Sequence, residues 1–359
     1  MTDAIVNMEG YSCPLPSAHH ERIVLGHGSG GRMSYDLITR HFLPALGNPV
    51  LNLGDDAGLV IIPAQDRVDT ARLAVSTDSH VVSPLFFPGG DIGRLAVCGT
   101  VNDISMLGAR PLYLTTGFIL EEGLEMETLQ RVIASMQSAA AEANISIIAG
   151  DTKVVQNGKA DGLYINTTGI GLIPEGVNIS GTRAQPGDVI ILSGTIGDHG
   201  IAVLAARGEL KFETELCSDV APLNGLVTAM LEASQGIHVL RDPTRGGLAT
   251  SLNEIALQSR VCLLIDEKAI PVRPAVRAAC EMLGFDPLYV ANEGKLITIV
   301  EKDQAESLLA KMRGHPLGHD AAVIGTVADN NQPRVMLKTA YGTTRMLDML
   351  AGEMLPRIC

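Results

Sequence analysis

The chain has 359 residues, 46% hydrophobic and 19% charged, which is enough apolar material for two aliphatic-cored domains. A net charge of −13 with no Lys/Arg block argues against a nucleic-acid-binding face, and 3% aromatics with no tryptophan argue against base stacking. No run reaches about 18 uninterrupted apolar residues, so no membrane span is predicted. Met1 to Ser17 lacks the cationic-then-apolar order of a secretory signal, so a cytoplasmic protein with reduced thiols is expected.

Residues 1–22 read as an irregular N-terminal extension. Gly26-His27-Gly28-Ser29-Gly30-Gly31 then precedes a helix-like stretch, Ser34 to Phe42. Backbone N–H groups in such a run can approach phosphates closely. No Gly-Lys-Ser/Thr follows and the dinucleotide spacing is missing, so a hinge is an equal reading. Leu73 to Thr77 reads as a buried strand ending in an acidic residue. Asp91 to Leu107 has helical spacing, with Ile92, Leu95, Ala96, Thr100 and Ile104 on one face. Tyr113 to Leu120 is a predicted strand, Met126 to Ala143 a helix, and Ile145 to Ala149 and Tyr164 to Gly171 strands.

Pro, Gly, Asn and Ser concentrate between Pro174 and Asp188, which marks a boundary. Beyond it, strands are predicted at Val189 to Ser193, Leu263 to Ile265, Leu296 to Val300 and Ala322 to Val327. Helices are predicted around Ile201 to Arg207, Ala221 to Glu232, Gly246 to Gln258, Pro274 to Leu283 and Asp303 to Met312. Each half mixes strands and helices, so the expected fold class is α/β (α+β) with two mixed-sheet domains, 23–175 and 176–338. Residues 339–359 are expected to form a flexible tail that docks through Met346, Leu347, Met349 and Leu350. The six cysteines form no Cys-x-x-Cys pair, and Cys98, Cys262 and Cys280 lie in apolar surroundings as inert core thiols.

The strongest chemical signal is a set of aspartates beside glycine or near strand ends: Asp55 and Asp56, Asp78, Asp103, Asp151 and Asp242. Aspartate suits neither strand nor helix interiors, so each is expected where an element ends. Short carboxylates aimed into one cleft repel one another unless hard cations sit between them, and magnesium takes carboxylates together with phosphate oxygens. Any one of these segments also fits a turn or a helix cap, but five in one chain point to a site. Lys153 can place a point charge on a phosphate. Glu293, in Asn292-Glu293-Gly294-Lys295, sits in a predicted loop before a strand. His199 follows Asp198, and a satisfied loop histidine is its plainer reading. The last segment is Pro356-Arg357-Ile358-Cys359. A thiol tethered at one end can be carried into another site, although the adjacent carboxylate disfavours thiolate and a frayed tail is the alternative.

Over roughly residues 23–330 these segments resemble the superfamily of aminoimidazole ribonucleotide synthetase, selenophosphate synthetase and thiamine-monophosphate kinase. The Pro-Arg-Ile-Cys ending narrows the resemblance. So do His27 to Gly31, Pro84-Leu85-Phe86-Phe87-Pro88-Gly89-Gly90, Gly150 to Val155 and Ala291 to Lys295. Together they resemble the HypE family, the carbamoyl dehydratases of [NiFe]-hydrogenase maturation. The resemblance implies ATP and Mg2+ as cofactors, with Asp55, Asp56, Asp78, Asp103, Asp151 and Asp242 holding magnesium in a nucleotide site in the first domain. Gly28, Ser29, Gly30, Asn102, Thr152 and Arg245 would join those aspartates in binding nucleotide. It implies that the transferase HypF carbamoylates Cys359, that ATP drives dehydration of the S-carboxamide to a thiocyanate, and that cyanide passes to iron on a HypC–HypD complex. Lys153 would stabilise the γ-phosphate, and Glu293 is the first choice of base, with His199 in reserve. A homodimer is also implied. The rivals are a superfamily enzyme with a diffusible substrate and a non-catalytic carrier in which nucleotide only regulates docking.

Overall fold

The computed structural model describes residues 23, 25–62, 71–208, 215–330 and 332–352. The extension 1–22, Cys13 and the Pro356 to Cys359 motif fall outside them. After the glycine-rich run come α1 (Arg32–Leu37), a π-helical turn (Ile38–Phe42) and α2 (Leu43–Leu46). The first sheet is built from β1 (Gly58–Ile62), β2 (Ala71–His80), β5 (Arg110–Glu121), β6 (Ser146–Val155) and β7 (Leu163–Leu172). Its order is β1-β2-β7-β5-β6, with only the β5–β6 pair parallel. A small ribbon of β3 (Phe86–Phe87) and β4 (Gly90–Asp91) leads into α3 (Ile92–Met106), and α4 (Met126–Glu142) follows β5.

Asp91 caps α3, its Oδ1 accepting from the Gly93 and Arg94 N–H groups at 2.7 and 3.1 Å. The helix lies close on the sheet because β7 offers glycine to it. A Cβ at Gly169 or Gly171 would come within 2.4 Å of the Ile104 side chain. Leu95, Ala96 and Val101 of α3 pack with Val132 and Met136 of α4 and Leu163 and Ile165 of β7. The same core continues into the second half through Ile201 and Val276.

The second half contains β8 (Val189–Leu192), α5 (Asp198–Ala206), α6 (Asn224–Ala233), β9 (Ile237–Arg241), α7 (Gly247–Ser259), β10 (Cys262–Asp266), α8 (Pro274–Leu283), β11 (Ile297–Val300), α9 (Ala305–Arg313), β12 (Ala322–Ala328), β13 (Arg334–Lys338) and β14 (Thr344–Leu347). Seven strands order as β14-β13-β10-β12-β8-β11-β9, with only β10–β13 parallel. β8 and β11 are buried along their whole length because helices cover both faces. Leu248, Leu252 and Ile255 of α7 cover one face, and Leu226, Met230, Leu308 and Met312 of α6 and α9 cover the other.

Several elements differ from the sequence expectation. β2 runs on through Asp78 to His80, Asp103 lies inside α3, and Asp151 lies inside β6, so these aspartates do not end their elements. The segment expected to be tail begins with structure. β14 pairs with β13, Leu347 is buried, and its carbonyl accepts from Asn253 Nδ2 at 2.9 Å. Further on, the Leu350 carbonyl accepts from Arg32 N–H at 2.8 Å, and the Gly352 carbonyl accepts from the Ser29 hydroxyl at 2.9 Å. A side chain at Gly31 would strike the Leu350 carbonyl, so glycine is what lets the two strands of chain meet.

Candidate active site

Along the face of β2 that turns to α3 lie Ser76, Asp78 and His80. The Ser76 hydroxyl donates to Asp103 Oδ2 at 2.6 Å, which joins β2 to the middle of α3. Asp242 follows the last residue of β9 and is held by a turn that only glycine permits. Gly247 has φ +61°, and a Cβ there would lie 2.7 Å from the backbone of Leu288, Tyr289 and Val290. Asp56 approaches from the loop before β1. Arg241 Nη1 donates to it at 2.7 Å and to Glu254 Oε2 at 3.2 Å, while Nη2 donates to the Gly54 carbonyl at 3.1 Å. A buried guanidinium thus pins the first domain's acidic loop to the second domain.

Burial pushes the Asp56, Asp103, Asp242 and Glu293 carboxyls above the usual carboxylate range, Asp242 to about 6. The negative charge of Asp242 raises each of the other three further, whereas Arg241 pulls Asp56 and Asp242 back. Two oxygens in this cluster, Asp242 Oδ2 and Glu293 Oε1, are buried without a hydrogen-bond partner among the described residues. A set of mutually repelling, under-satisfied carboxylates is the environment a cation relieves. Among the described residues no three His, Cys, Asp or Glu side chains converge closely enough to hold a metal by themselves. The donor set therefore fits a magnesium ion that arrives with phosphate oxygens as part of its coordination.

Glu293 lies beside Asp242 and Asp78. Its side chain is 4% exposed, and its loop is locked from behind by Asp219. Asp219 accepts from the Glu293 N–H at 3.1 Å and the Gly294 N–H at 3.3 Å, and pairs with Lys295 Nζ at 3.3 Å. Other candidates fare differently. Asn102 spends its side chain on structure: Nδ2 donates to the Ala221 and Glu293 carbonyls, and Oδ1 accepts from Leu223 N–H. It acts as a staple between domains. Asp55 Oδ1 accepts from the Ser180 hydroxyl and the Gly181 N–H, so it anchors the interdomain segment. His199 is a fully buried core residue, its Nδ1 2.8 Å from Ser218 Oγ and its ring edge-on to Phe87.

Asp151, Thr152 and Lys153 are not brought to the cluster within one chain. Asp151 pairs across the sheet through Gly117 and Asn166 to Ser79, three strand spacings or about 14 Å from β2. Ser79 faces away from α3, so Asp151 does too. Lys153 pairs with Asp151 at 2.7 Å, both well exposed. Gly28 and Gly30 meet the cluster's edge: Arg245 Nη1 donates to the Gly28 carbonyl at 3.1 Å, and Gly30, at φ +74°, leaves no room for a Cβ beside Arg245. The Ser29 hydroxyl bonds Gly26 and Gly352 carbonyls. Cys359 lies outside the described residues.

Sequence reasoning missed Arg241, Glu254, Asp219 and His80. Only His80 carried a signal, since strand alternation from Asp78 puts residue 80 on the same face. Arg241 depends on contacts across the domain seam with Asp56 and Gly54, and Glu254 and Asp219 on partners 13 and 74 residues away, none of which a local pattern announces.

The family model for AIR synthase related protein matches the N-terminal domain over residues 54–173 and the C-terminal domain over residues 185–338. The carbamoyl dehydratase HypE of Cupriavidus necator is 54% identical over 350 residues, covering 98% of each chain. A crystal structure of a HypE–HypF complex matches with TM-score 0.82 at 49% identity, covering 88% of this chain and 99% of that one. A crystal structure of HypE in complex with ATP matches with TM-score 0.77 at 52% identity, covering 94% of this chain and 100% of that one. Two AIR synthase related domains, a carboxylate cluster at their seam and this degree of identity lead to one conclusion: the chain belongs to the HypE family of hydrogenase-maturation carbamoyl dehydratases.

Proposed function

We propose that this chain dehydrates a carboxamide carried on its own Cys359 sulfur to a thiocyanate, using ATP, and so supplies cyanide for the iron of a [NiFe]-hydrogenase. The observation that carries the reading is Glu293, a buried carboxyl with a free oxygen aimed among carboxylates in a HypE-family chain. A HypF-type transferase places the carbamoyl group on the thiol. The carboxamide oxygen then attacks the γ-phosphorus of ATP and ADP leaves. The nitrogen gives up one proton in forming the O-phosphoryl imidate and the second as the C–O bond breaks and phosphate departs. The products are –S–C≡N, ADP and phosphate, and the oxygen lost from carbon leaves on phosphate. Glu293 takes a proton from nitrogen. Magnesium, bound with the nucleotide by Asp56, Asp78, Asp103 and Asp242, would supply charge neutralisation at the γ-phosphate.

Intact-mass measurement of the full chain tests this directly. Carbamoylation should add about 43 Da, and ATP with magnesium should then remove about 18 Da as the covalent intermediate advances. Addition of a HypC–HypD complex should return the mass to that of the free thiol. A carbamoyl adduct that persists with ATP and magnesium present would favour the carrier reading and end this one.

A homodimer completes the proposal. β6 is exposed along nearly its whole length, and Tyr113, Ile119, Ile148 and Val154 are exposed apolar side chains on this part of the sheet. Edge strands of this kind invite a partner, and a second copy would offer Lys153 a route to a cluster that its own chain does not provide. Sedimentation equilibrium should find a dimer; a monomer at every concentration would remove it.

A further inference from the structure

His80 closes β2 two residues beyond Asp78, and its ring is 1% exposed. Neither ring nitrogen has a hydrogen-bond partner among the described residues, and Nε2 lies 3.6 Å from Asp78 Oδ2. Burial holds the imidazole below the usual histidine range, against the raising effect of Asp78. The other Asp78 oxygen, Oδ1, accepts from the Ser79 N–H at 2.7 Å. Helix α3 makes room for the ring at Gly99, where a Cβ would lie 3.0 Å from His80 Cε1 and 3.4 Å from Asp78 Oδ2.

Burying two unsatisfied ring nitrogens costs stability that a phenyl or aliphatic side chain of similar size would not. A space-filling role does not explain the choice. The gap to Asp78 is a few tenths of an ångström beyond a hydrogen bond, and a small turn of the carboxylate closes it. Carboxylates that hold metals are commonly oriented by a hydrogen bond to the oxygen not engaged by the ion.

We propose that His80 is a positioning residue for Asp78: its Nε2–H donates to Oδ2 once the carboxylate turns toward a cation, and fixes the face that Asp78 presents. This rests on the reading of the carboxylate cluster as a cation–nucleotide site. The ring stays out of the coordination shell, because its nitrogens are sealed behind Asp78 and α3.

The test uses the full-length protein, Mn2+ as the probe and a non-hydrolysable ATP analogue, with bound Mn2+ read by electron paramagnetic resonance. H80F and H80N should weaken Mn2+ binding about 10- to 100-fold. H80Q, whose amide N–H can reach Asp78, should recover to within a few-fold of the unsubstituted chain. Because H80N and H80Q are both small polar replacements, a difference between them does not come from misfolding. D78N serves as the control. If D78N weakens Mn2+ and H80F and H80N do not, the role of His80 is overturned and the cation site stands. If D78N changes nothing, the cation reading falls and His80 with it. An imidazole nitrogen coupling in the Mn2+ spin-echo spectrum would make His80 a ligand and also overturn the assignment.

Discussion

Glu293→Gln is expected to stop the reaction at the carbamoyl-Cys359 stage, with dehydration slowed about 10²- to 10⁴-fold, the range for losing a general base. The amide keeps the shape of the carboxyl and its loop contacts, because Asp219 holds the loop through the Glu293 and Gly294 backbone and not through the side chain. What is lost is the basic oxygen. The pH dependence carries the same signature. Burial first, then the charges of Asp242, Asp78 and Asp219, lift the Glu293 carboxyl above its ordinary range. Its carboxylate form is therefore scarce at low pH and grows as pH rises through the lifted value. Single-turnover rates followed by mass spectrometry should climb with pH on the acid side, and E293Q should flatten that limb. An E293Q chain that dehydrates at the unsubstituted rate would take Glu293 out of the chemistry.

Asp242→Asn should stabilise the nucleotide-free protein at pH 8 while lowering magnesium-dependent ATP hydrolysis by about 100-fold or more, the scale for removing a group that stabilises transition-state charge. Asp242 titrates at about 6 in the fold against an ordinary value of 3.8. Its folded value is raised, so its favourable contribution to folding is complete below about pH 4 and is lost as pH rises through about 6. A shift of this size corresponds to the order of 3 kcal/mol at neutral pH. Asp56, Asp103 and Glu293 are lifted too and add in the same direction. Thermal midpoints measured without nucleotide should fall from pH 5 to pH 8 in the unsubstituted chain and fall less in D242N. Magnesium with ATP should restore the unsubstituted chain and leave D242N unmoved. Identical pH profiles for the two chains would mean that Asp242 is not the strained member of the cluster.

The regular elements were legible where local chemistry and packing agreed. α8 begins with Pro274 and stops at Gly284, at φ +71°, and both signals sit in the sequence. β9 was missed because His238 and Arg241 interrupt an apolar run, yet the strand is buried from end to end. There His238 bonds the buried Asp188 at 2.8 Å, and Arg241 is consumed by Asp56 and Glu254. Asp78 and Asp103 were expected at element ends from propensity, but the site overrides propensity where carboxylates must face one another. Asn102 and Asp103 show the limit most sharply. Neighbours on a helix point about 100° apart, so one reaches the seam with Ala221 and Leu223 and the other reaches Ser76. The sequence names both residues and cannot say which partner each will meet.

The carbonyl of Gly352 is tied to the Ser29 hydroxyl, and Cys359 lies seven residues further along (359 − 352). Seven residues at full stretch cover about 25 Å. While that tie holds, the sulfur works on a short leash, confined to a sphere around the glycine-rich run, and its local concentration there is high. Under the proposed function, delivery to an iron site beyond that radius is expected to release the Ser29–Gly352 contact, so the contact that favours chemistry at home would be given up for delivery.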